Sequence, residues 1–288
     1  MTPPLDPRQV RRSFSRAAGT YAQHAALQRD VEDRLLERLD YYPHKPERVV
    51  DLGSGPGRGA NALRKRFPSA QVIAIDIALP MLRKVRTGWR RPVARLCADA
   101  RALPLADASI DVLYSNLCIQ WIDDVPALFD EFRRVLEPGG YVAFSTFGPD
   151  TLNELRAAWA AADRSPHVGG FADIARIGDA LMAAGFRDPV LDTEHFTLTY
   201  ADAPALMREL KALGATNADA RRARGLTGKS RYRHALEGYE RFRHDGLLPA
   251  TYEVISAHAW APDPGQPRRG AGGEIASFPI ERLRGSRR

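Results

Sequence analysis

A glycine-rich loop at residues 51–59 is the part of the sequence best suited to bind a small molecule. The glycines stand at every second position, at Gly53, Gly55, Gly57 and Gly59. Glycine allows sharp turns and lets a ligand approach the main chain closely. A dinucleotide loop beginning at Gly53 would need its third glycine at position 58, which is Arg58. The spacing therefore disfavours a pyrophosphate-containing cofactor.

Acidic and amide side chains follow the predicted strands and extend this site. Asp51 suits S-adenosylmethionine (SAM), because SAM carries a cationic sulfonium and an amino group. Asp76 can accept hydrogen bonds from ribose hydroxyls, as an acid also does in NAD enzymes. Asp99 is a candidate for the adenine amino group or a helix cap, and Asn116 is a cofactor ligand or a turn residue. The predicted SAM-binding residues are Asp51, Gly53, Ser54, Gly55, Gly57, Asp76, Ile77, Met81, Asp99, Ala100 and Asn116.

Alternating apolar strands and amphipathic helices must position these residues. The spacing predicts two helices within residues 8–40, with a break near Gly19. The predicted strands span residues 48–52, 71–75, 92–97, 110–115, 141–147, 190–200 and 251–260. Helices are predicted at 80–85, 125–136, 174–186, 203–213 and 233–242, and a turn at 137–140. This alternation predicts an α/β fold with a doubly wound, mostly parallel, seven-stranded sheet and an inserted helical subdomain.

The domain organisation follows from the same pattern. Residues 1–44 are predicted to form an N-terminal helical lid and residues 45–200 the SAM-binding core. Residues 201–250 form an inserted basic helical subdomain between the last two strands, and residues 251–262 return to the sheet. A basic tail rich in proline and glycine completes the chain at residues 263–288.

Composition limits the class of protein. The chain has 288 residues, 44% of them hydrophobic, which is enough for a sizeable core. No apolar run is long enough to span a membrane and no secretory signal is visible, so a cytoplasmic protein without membrane association is expected. Cys97 and Cys118 are expected to be buried thiols, with neither a disulfide nor a metal site. The net charge of +7 suits an acidic partner.

Five motifs together resemble the class I SAM-dependent methyltransferases, whose fold is Rossmann-like. They read VVDLGSGPGRG, AIDIALPML, CADARALPL, VLYSNLCIQW and EPGGYVAFSTF, and they cover about residues 45–150. The resemblance implies SAM as the cofactor.

The flanking segments RSFSRAAGTYAQHAALQRDV, FSTFGPDTLNELRAAW and LKALGATN resemble one family, the malonyl-[acyl-carrier protein] O-methyltransferases of biotin biosynthesis. This resemblance extends over most of residues 8–262. It implies methylation of the free carboxylate of a malonyl thioester, on acyl carrier protein or CoA, to prime pimeloyl and biotin synthesis. The chain departs from the family at Ala175, where the family often has histidine. Arg176 or His167 could take over such a role.

The resemblance also suggests residues for the substrate. Tyr21 lies on the N-terminal segment, which closes over the cofactor in such methyltransferases. We expect its hydroxyl to orient the substrate carboxylate or to contact the methionine part of SAM; the alternative is packing within the lid. The other predicted substrate residues are Gln28, Trp121, Phe147 and Arg176.

A basic run at residues 221–233 contains six lysines and arginines and no acid. Its RGLTGKS stretch is not a P-loop, because position 223 is Ala223 where a glycine is required. The run is a solvated helix face, a nucleic-acid surface or a docking site for acyl carrier protein; the resemblance favours docking and no nucleic acid is expected. The predicted docking residues are Arg221, Arg222, Arg224, Lys229, Arg231 and Arg233.

Two other functions are compatible with the sequence. The first is a small-molecule carboxyl or quinone methyltransferase, which would not need the basic insertion. The second is an RNA-binding protein or RNA methyltransferase, for which the net charge is the only support. The spacing of the glycine loop disfavours an NAD dehydrogenase.

Overall fold

The computed structural model of the protein describes residues 4–88, 92–223, 225, 227–263, 268–270 and 273–275. Its centre is a seven-stranded sheet with the strand order β3-β2-β1-β4-β5-β7-β6. The strands are β1 (Arg48–Leu52), β2 (Gln71–Asp76), β3 (Ala94–Cys97), β4 (Ile110–Ser115), β5 (Leu136–Phe147), β6 (Arg187–Tyr200) and β7 (Leu248–Trp260). Strands β1 to β5 pair in parallel, and β7 is antiparallel to both β5 and β6. The predicted seven-stranded, mostly parallel sheet is confirmed.

Helices cover both faces of this sheet. They are α1 (Pro7–Ala17), α2 (Tyr21–His24), α3 (Ala26–Glu37), α4 (Arg58–Arg66), α5 (Leu79–Leu82), α6 (Val125–Val135), α7 (Asn153–Ala162), α8 (Ile174–Ala183), α9 (Ala203–Ala212) and α10 (Lys229–Glu240). Aspartates start several of them: the carboxylates of Asp6, Asp124, Asp173 and Asp202 accept hydrogen bonds from main-chain amides in the first turn. Such caps satisfy amides that have no partner within the helix.

Three apolar clusters hold the layers together. One packs α6 and α8 against one sheet face through residues such as Phe129 and Leu181. The second packs α3 and α4 against the other face through Leu35 and Leu63. The third joins α7 to the helices inserted between β6 and β7. The central parallel strands β1 and β4 are buried from both sides, which explains their mainly apolar sequences, whereas the edge strand β3 is largely exposed.

The insertion between β6 and β7 contacts the N-terminal segment through the main chain. The amide of Asp6 donates to the carbonyl of Ala218 (2.8 Å), and the amide of Ala220 donates to the carbonyl of Pro4 (2.9 Å). The hydroxyls of Ser13 and Thr216 lie 2.6 Å apart. Two segments that are distant in the chain therefore form one continuous cover over the carboxyl edge of the sheet.

Four local predictions need correction. The N-terminal helical region has a second break at Ala25, which separates α2 from α3. Residues 137–140 are an irregularity within β5 rather than a turn before it, since Leu136 already pairs with Ile110. Helix α7 was not predicted. Cys97 is exposed, because it ends β3 at the edge of the sheet.

Strands β8 (Arg268–Gly270) and β9 (Gly273–Ile275) form a small hairpin within the predicted tail. Among the described residues, none of the helices has the length and apolar character that crossing a membrane requires.

Candidate active site

The glycine loop connects β1 to α4 and requires glycine at two points. Gly53 has φ +72°, and a Cβ there would lie 2.5 Å from the side chain of Cys118. Gly57 has φ +85°, and a Cβ there would lie 2.7 Å from the methyl groups of Val85. Both positions combine left-handed backbone with a contact that no side chain can share. The loop is therefore held closely against the ends of neighbouring strands, where ligands bind in such sheets.

Asp76 fixes the loop from the end of β2. Its carboxylate accepts hydrogen bonds from the amides of Gly55 (2.9 Å) and Ala78 (2.7 Å). Burial raises the pKa of this carboxyl to about 6, although both hydrogen bonds act to lower it. Asp76 is thus an orienting residue for the loop as well as an acceptor that faces the cavity beside it.

A cavity of about 740 Å³, the cofactor cavity, opens beside this loop. Eight of the predicted cofactor residues line it: Gly53, Gly55, Asp76, Ile77, Met81, Asp99, Ala100 and Asn116. Tyr21 and Trp121 also line it. Residues that the sequence did not indicate complete the wall; among them are Pro7, Val10 and Phe14 of α1, and Arg101 and Cys118.

Asp99 is engaged within the chain. The guanidinium of Arg101 donates to both carboxylate oxygens, from Nε at 2.9 Å and from Nη2 at 2.5 Å. These hydrogen bonds hold the pKa of Asp99 below its ordinary value. Asp99 is therefore ionised at neutral pH, and a ligand amino group at this position would share the carboxylate with Arg101.

A polar chamber of about 540 Å³ adjoins the other side of the loop and is lined by Tyr21, Gln28, Glu32, Asp51 and Ser54, among others. Among the described residues, three that line this chamber each have one buried oxygen without a hydrogen-bond partner: Oε1 of Gln28, Oδ2 of Asp51 and Oγ of Ser54. Buried polar atoms without partners are costly and rare in folded proteins. Their grouping indicates a place where a polar ligand supplies the missing partners.

Glu32 brings a second acid into the polar chamber. It lies on α3, and its carboxylate accepts from Arg58 at 2.8 Å. Burial raises the pKa of Glu32 to about 7 despite this ion pair. Burial, with the nearby Glu32 carboxylate as a smaller cause, also raises the pKa of Asp51 well above its ordinary value. Glu32 was not among the predicted site residues, although it lies one helical turn after Gln28 on the same face.

A third cavity of about 780 Å³, the apolar cavity, lies under the insertion. The predicted substrate residues Gln28, Trp121 and Phe147 line it, whereas Arg176 lines none of the three cavities. Trp121 is shared with the cofactor cavity and Gln28 with the polar chamber. The insertion contributes Leu210, Leu213, Ala215, Thr216, Asn217 and Ala218 to the wall. All three cavities thus meet around Tyr21, Gln28 and Trp121.

His167 is, among the described residues lining the apolar cavity, the only one whose side chain can become positively charged. Its Nε2 lies 3.0 Å from both carboxylate oxygens of Asp163. Its ring stacks on Trp159, with a centroid separation of 3.8 Å and an interplanar angle of 9°. The carboxylate and the indole together fix the orientation of the ring.

Three of the six predicted docking residues are paired with aspartates of the chain. Arg221 pairs with Asp219 (2.8 Å), Arg222 with Asp6 (3.3 Å) and Arg231 with Asp163 (3.6 Å). Lys229 and Arg233 are exposed and make no ion pair with the residues that the structure describes. Arg224 lies outside the described residues.

Comparisons with known proteins agree with this geometry. Residues 50–144 match the methyltransferase domain family model. A malonyl-[acyl-carrier protein] O-methyltransferase from Xylella fastidiosa is 50% identical over 283 residues, covering 97% of this chain and 96% of its own. A protein of the same name from Methylovorus is 51% identical over 267 residues, covering 90% of each chain.

The chain belongs to the malonyl-[acyl-carrier protein] O-methyltransferase family.

Solved structures support the fold of this family member. A SAM-dependent methyltransferase from Thermotoga maritima superimposes with a TM-score of 0.52 at 16% identity, covering 88% of this chain and 99% of that one. A [4+2]-cyclase superimposes with a TM-score of 0.51 at 20% identity, covering 81% of each chain. The second likeness illustrates that the fold alone does not determine the reaction.

SAM is the cofactor of this methyltransferase, and the observed site fits it. Asp76 can accept from the ribose hydroxyls, while the unpartnered oxygens of Gln28, Asp51 and Ser54 can accept from the amino group of the methionine part. The positive charges on the amino group and the sulfonium would favour the ionised forms of Asp51 and Glu32, whose pKa values burial raises. The apolar residues of α1 would cover the cofactor from solvent.

Proposed function

We propose that this protein transfers the methyl group of SAM to the free carboxylate of a malonyl thioester carried by acyl carrier protein. The product, a malonyl methyl ester, would prime the synthesis of the pimeloyl chain of biotin. One observation carries the proposal beyond the names of the relatives. The apolar cavity and the cofactor cavity share Trp121 as a lining residue, and among the described residues lining the apolar cavity only His167 can carry a positive charge.

The reaction needs little from the protein in the way of proton transfer. A malonyl carboxylate is already ionised at neutral pH, so it can act as the nucleophile without a general base. SAM supplies the electrophilic methyl group when bound. The chain must align the carboxylate oxygen with that methyl group and exclude water, and such alignment can lower a barrier by about 7–11 kcal/mol in favourable cases.

Tyr21 is the residue we propose to align the carboxylate. Its side chain lines both the cofactor cavity and the polar chamber. Burial, followed by the negative charges of Asp76 and Glu32, raises the pKa of Tyr21 well above its ordinary value. The hydroxyl therefore keeps its proton and can donate one hydrogen bond. A neutral donor orients the carboxylate without the strong charge neutralisation that would weaken its nucleophilicity.

His167 is proposed to recognise the malonyl group rather than to take part in methyl transfer. Nε2 of its ring lies against the Asp163 carboxylate, and no other described residue lining the apolar cavity can supply a positive charge. This arrangement favours an anionic acyl group over a neutral one of equal size. The role replaces the one proposed for Arg176, which lines none of the three cavities.

The carrier-bound form of the substrate fits the insertion. The apolar cavity is walled by loops of the insertion, and a thioester arm would enter beneath them. Docking of the carrier on the basic run 221–233 stays a prediction, for which the exposed Lys229 and Arg233 are the strongest candidates. A cytoplasmic location also stays a prediction.

Label transfer from SAM to malonyl-acyl carrier protein tests the proposed function. The purified protein is incubated with methyl-labelled SAM and malonyl-, acetyl- or succinyl-loaded carrier, and the acyl group is released for mass spectrometry. We expect a methyl ester from the malonyl form and none from the acetyl form, which has no free carboxylate. Labelling of free dicarboxylic acids or quinones instead would favour a small-molecule methyltransferase, and labelling of RNA would contradict both readings.

A further inference from the structure

Helix α1 presents four arginines to solvent. Arg8, Arg11, Arg12 and Arg16 are all exposed, and the helix sequence PRQVRRSFSRA contains no acid. Residues three or four apart lie on one side of a helix, so Arg8, Arg12 and Arg16 form a row with Arg11 beside it. We call this set the α1 arginine face.

The opposite side of α1 belongs to the site. Pro7, Val10 and Phe14 line the cofactor cavity, and Leu5, just before the helix, lines the apolar cavity. The ring of Phe14 packs edge-on against Trp121, with centroids 5.2 Å apart. The arginine face is therefore the outer surface of the element that closes both cavities.

The positive charge of this face is not compensated. Within the described part of the chain, none of its four side chains forms an ion pair or a side-chain hydrogen bond. The exposed Arg83 and Lys84 follow α5, which packs against α1, and they add charge of the same sign nearby. Asp6 at the start of the helix is already paired with Arg222. The basic run 221–233 differs, since three of its arginines are paired with aspartates from elsewhere in the chain.

We propose that the α1 arginine face is the main docking surface for the acidic, helical carrier protein that presents the malonyl thioester. This inference rests on the proposed function. Uncompensated charge accelerates encounter with a partner of opposite sign and sets its orientation. A carrier docked on α1 also sits beside Leu5, at the edge of the apolar cavity, where its thioester arm must enter. Docking would press the helix onto the cofactor cavity and so favour the closed site.

The double charge reversal Arg12→Glu/Arg16→Glu tests the inference. Its control is Lys65→Glu/Arg241→Glu, which changes the net charge equally on exposed residues that line none of the three cavities. Arg12→Lys/Arg16→Lys retains the charge and serves as the rescue variant. Three quantities are measured: the Kd for fluorescently labelled malonyl-acyl carrier protein by anisotropy at low salt, the KM for malonyl-carrier against malonyl-pantetheine, and the Kd for SAM.

We expect the double reversal to weaken carrier binding by about tenfold or more, with KM for malonyl-carrier rising in parallel. Turnover of malonyl-pantetheine and the Kd for SAM should change less than about twofold, and the rescue variant should bind the carrier as the wild type does. Because the arginines are exposed, the melting temperature should be unchanged.

The inference would be overturned if the double reversal bound the carrier with the Kd of the wild type. It would also be overturned if the control variant lost carrier affinity to the same extent. If the double reversal lost SAM binding and carrier binding to the same extent, the arginines would act by closing α1 over the cofactor, which would also overturn the docking inference. Tight binding of single-stranded RNA by the wild type, lost in the double reversal while carrier binding persists, would also overturn it. The anisotropy measurement of carrier binding does not require methyl transfer. If the wild type failed to methylate malonyl-carrier, the proposed function would be contradicted, while the binding data would still test the docking surface.

Discussion

The side-chain amide of Asn116 donates to the main-chain carbonyl of Gln28, 3.0 Å away, and thereby ties the end of β4 to α3. The amide oxygen of Asn116 accepts from Ser145 at 2.7 Å. Asn116 therefore links the central sheet to the N-terminal cover on one side and to β5 on the other. Asn116 also lines the cofactor cavity, so the same side chain holds the elements around the site together and forms part of its wall.

Replacement Asn116→Ala should weaken SAM binding by roughly tenfold and lower the free energy of unfolding by about 1–2 kcal/mol, because two internal hydrogen bonds are lost. Isothermal titration and chemical denaturation measure the two effects. Ser109→Ala removes the 2.7 Å hydrogen bond to Ala106 away from the cavities and is the control. It should leave SAM affinity unchanged; an unchanged affinity in Asn116→Ala as well would show that the link to Gln28 does not matter for the cofactor.

Replacement Tyr21→Phe should lower kcat for malonyl-carrier roughly 10- to 100-fold, the equivalent of one hydrogen bond to a charged group. The Kd for SAM should change less than about threefold if the hydroxyl contacts the carboxylate rather than the cofactor. Tyr41→Phe is the matched control, because that ring is 64% exposed and stacks on His258. A kcat equal to that of the wild type would remove the hydroxyl from the mechanism, and a selective loss of SAM affinity would move it to the methionine part.

Glu32 makes stability depend on pH in a defined direction. Its pKa in the folded protein is about 7, above the ordinary value of 4.5, so the folded state holds this proton more tightly than the unfolded state. Its contribution to the free energy of unfolding is present below pH 4.5 and is lost as the pH rises through 7. We therefore expect Glu32→Gln, without SAM, to be more stable than the wild type by about 1–3 kcal/mol at pH 8, with a smaller difference at pH 5.

The same replacement should weaken SAM binding several-fold, since it removes a negative charge from the polar chamber. Denaturation at the two pH values and calorimetric titration provide the measurements. Glu237→Gln on the exposed surface of α10 is the control and should show neither effect. A stability difference that is equal at pH 5 and pH 8 would mean that Glu32 is not the titrating group.

Replacement His167→Gln should raise KM for malonyl-carrier roughly tenfold and leave kcat at saturation within about threefold, because the ring recognises the substrate anion but does not contact the transferred methyl. Steady-state kinetics between pH 6 and pH 8 separate the two parameters. The control is His244→Gln, whose side chain is 86% exposed. An unchanged KM, or a large fall in kcat, in His167→Gln would contradict the recognition role. So would inhibition of the wild type by acetyl-carrier as strong as the binding of malonyl-carrier.

Most residues that line the cofactor cavity next to the glycine loop could be predicted to lie together, because their positions are set locally in the chain. Gly53 to Gly57, Asp76 and Asp99 each follow a strand, and parallel strands bring their carboxyl ends to one edge. Glu32 was missed because its relevance depends on how α3 packs over that edge. The break at Ala25, which orients α3, is a main-chain conformation that no apolar pattern encodes.

The pairing of charged side chains was harder to predict than the fold. Residues 221–233 contain no acid, yet Arg222 meets Asp6 and Arg231 meets Asp163 across large distances in sequence. Conversely, the arginines of α1 were visible in the sequence, but only the structure places Val10 and Phe14 beneath them and shows them without an ion pair to any described residue. Ion pairs depend on tertiary contacts, whereas the presence of each strand or helix depends on a pattern that the element carries by itself.

The hydrogen bonds between Pro4 or Asp6 and the insertion have a kinetic consequence. Helix α1 covers the cofactor cavity and the insertion covers the apolar cavity. Because main-chain hydrogen bonds join these two segments, we expect neither to move far without the other. The cofactor cavity and the apolar cavity would then open to solvent together. Demethylated cofactor and ester product should leave in the same opening event, so that the release of one sets the rate for both.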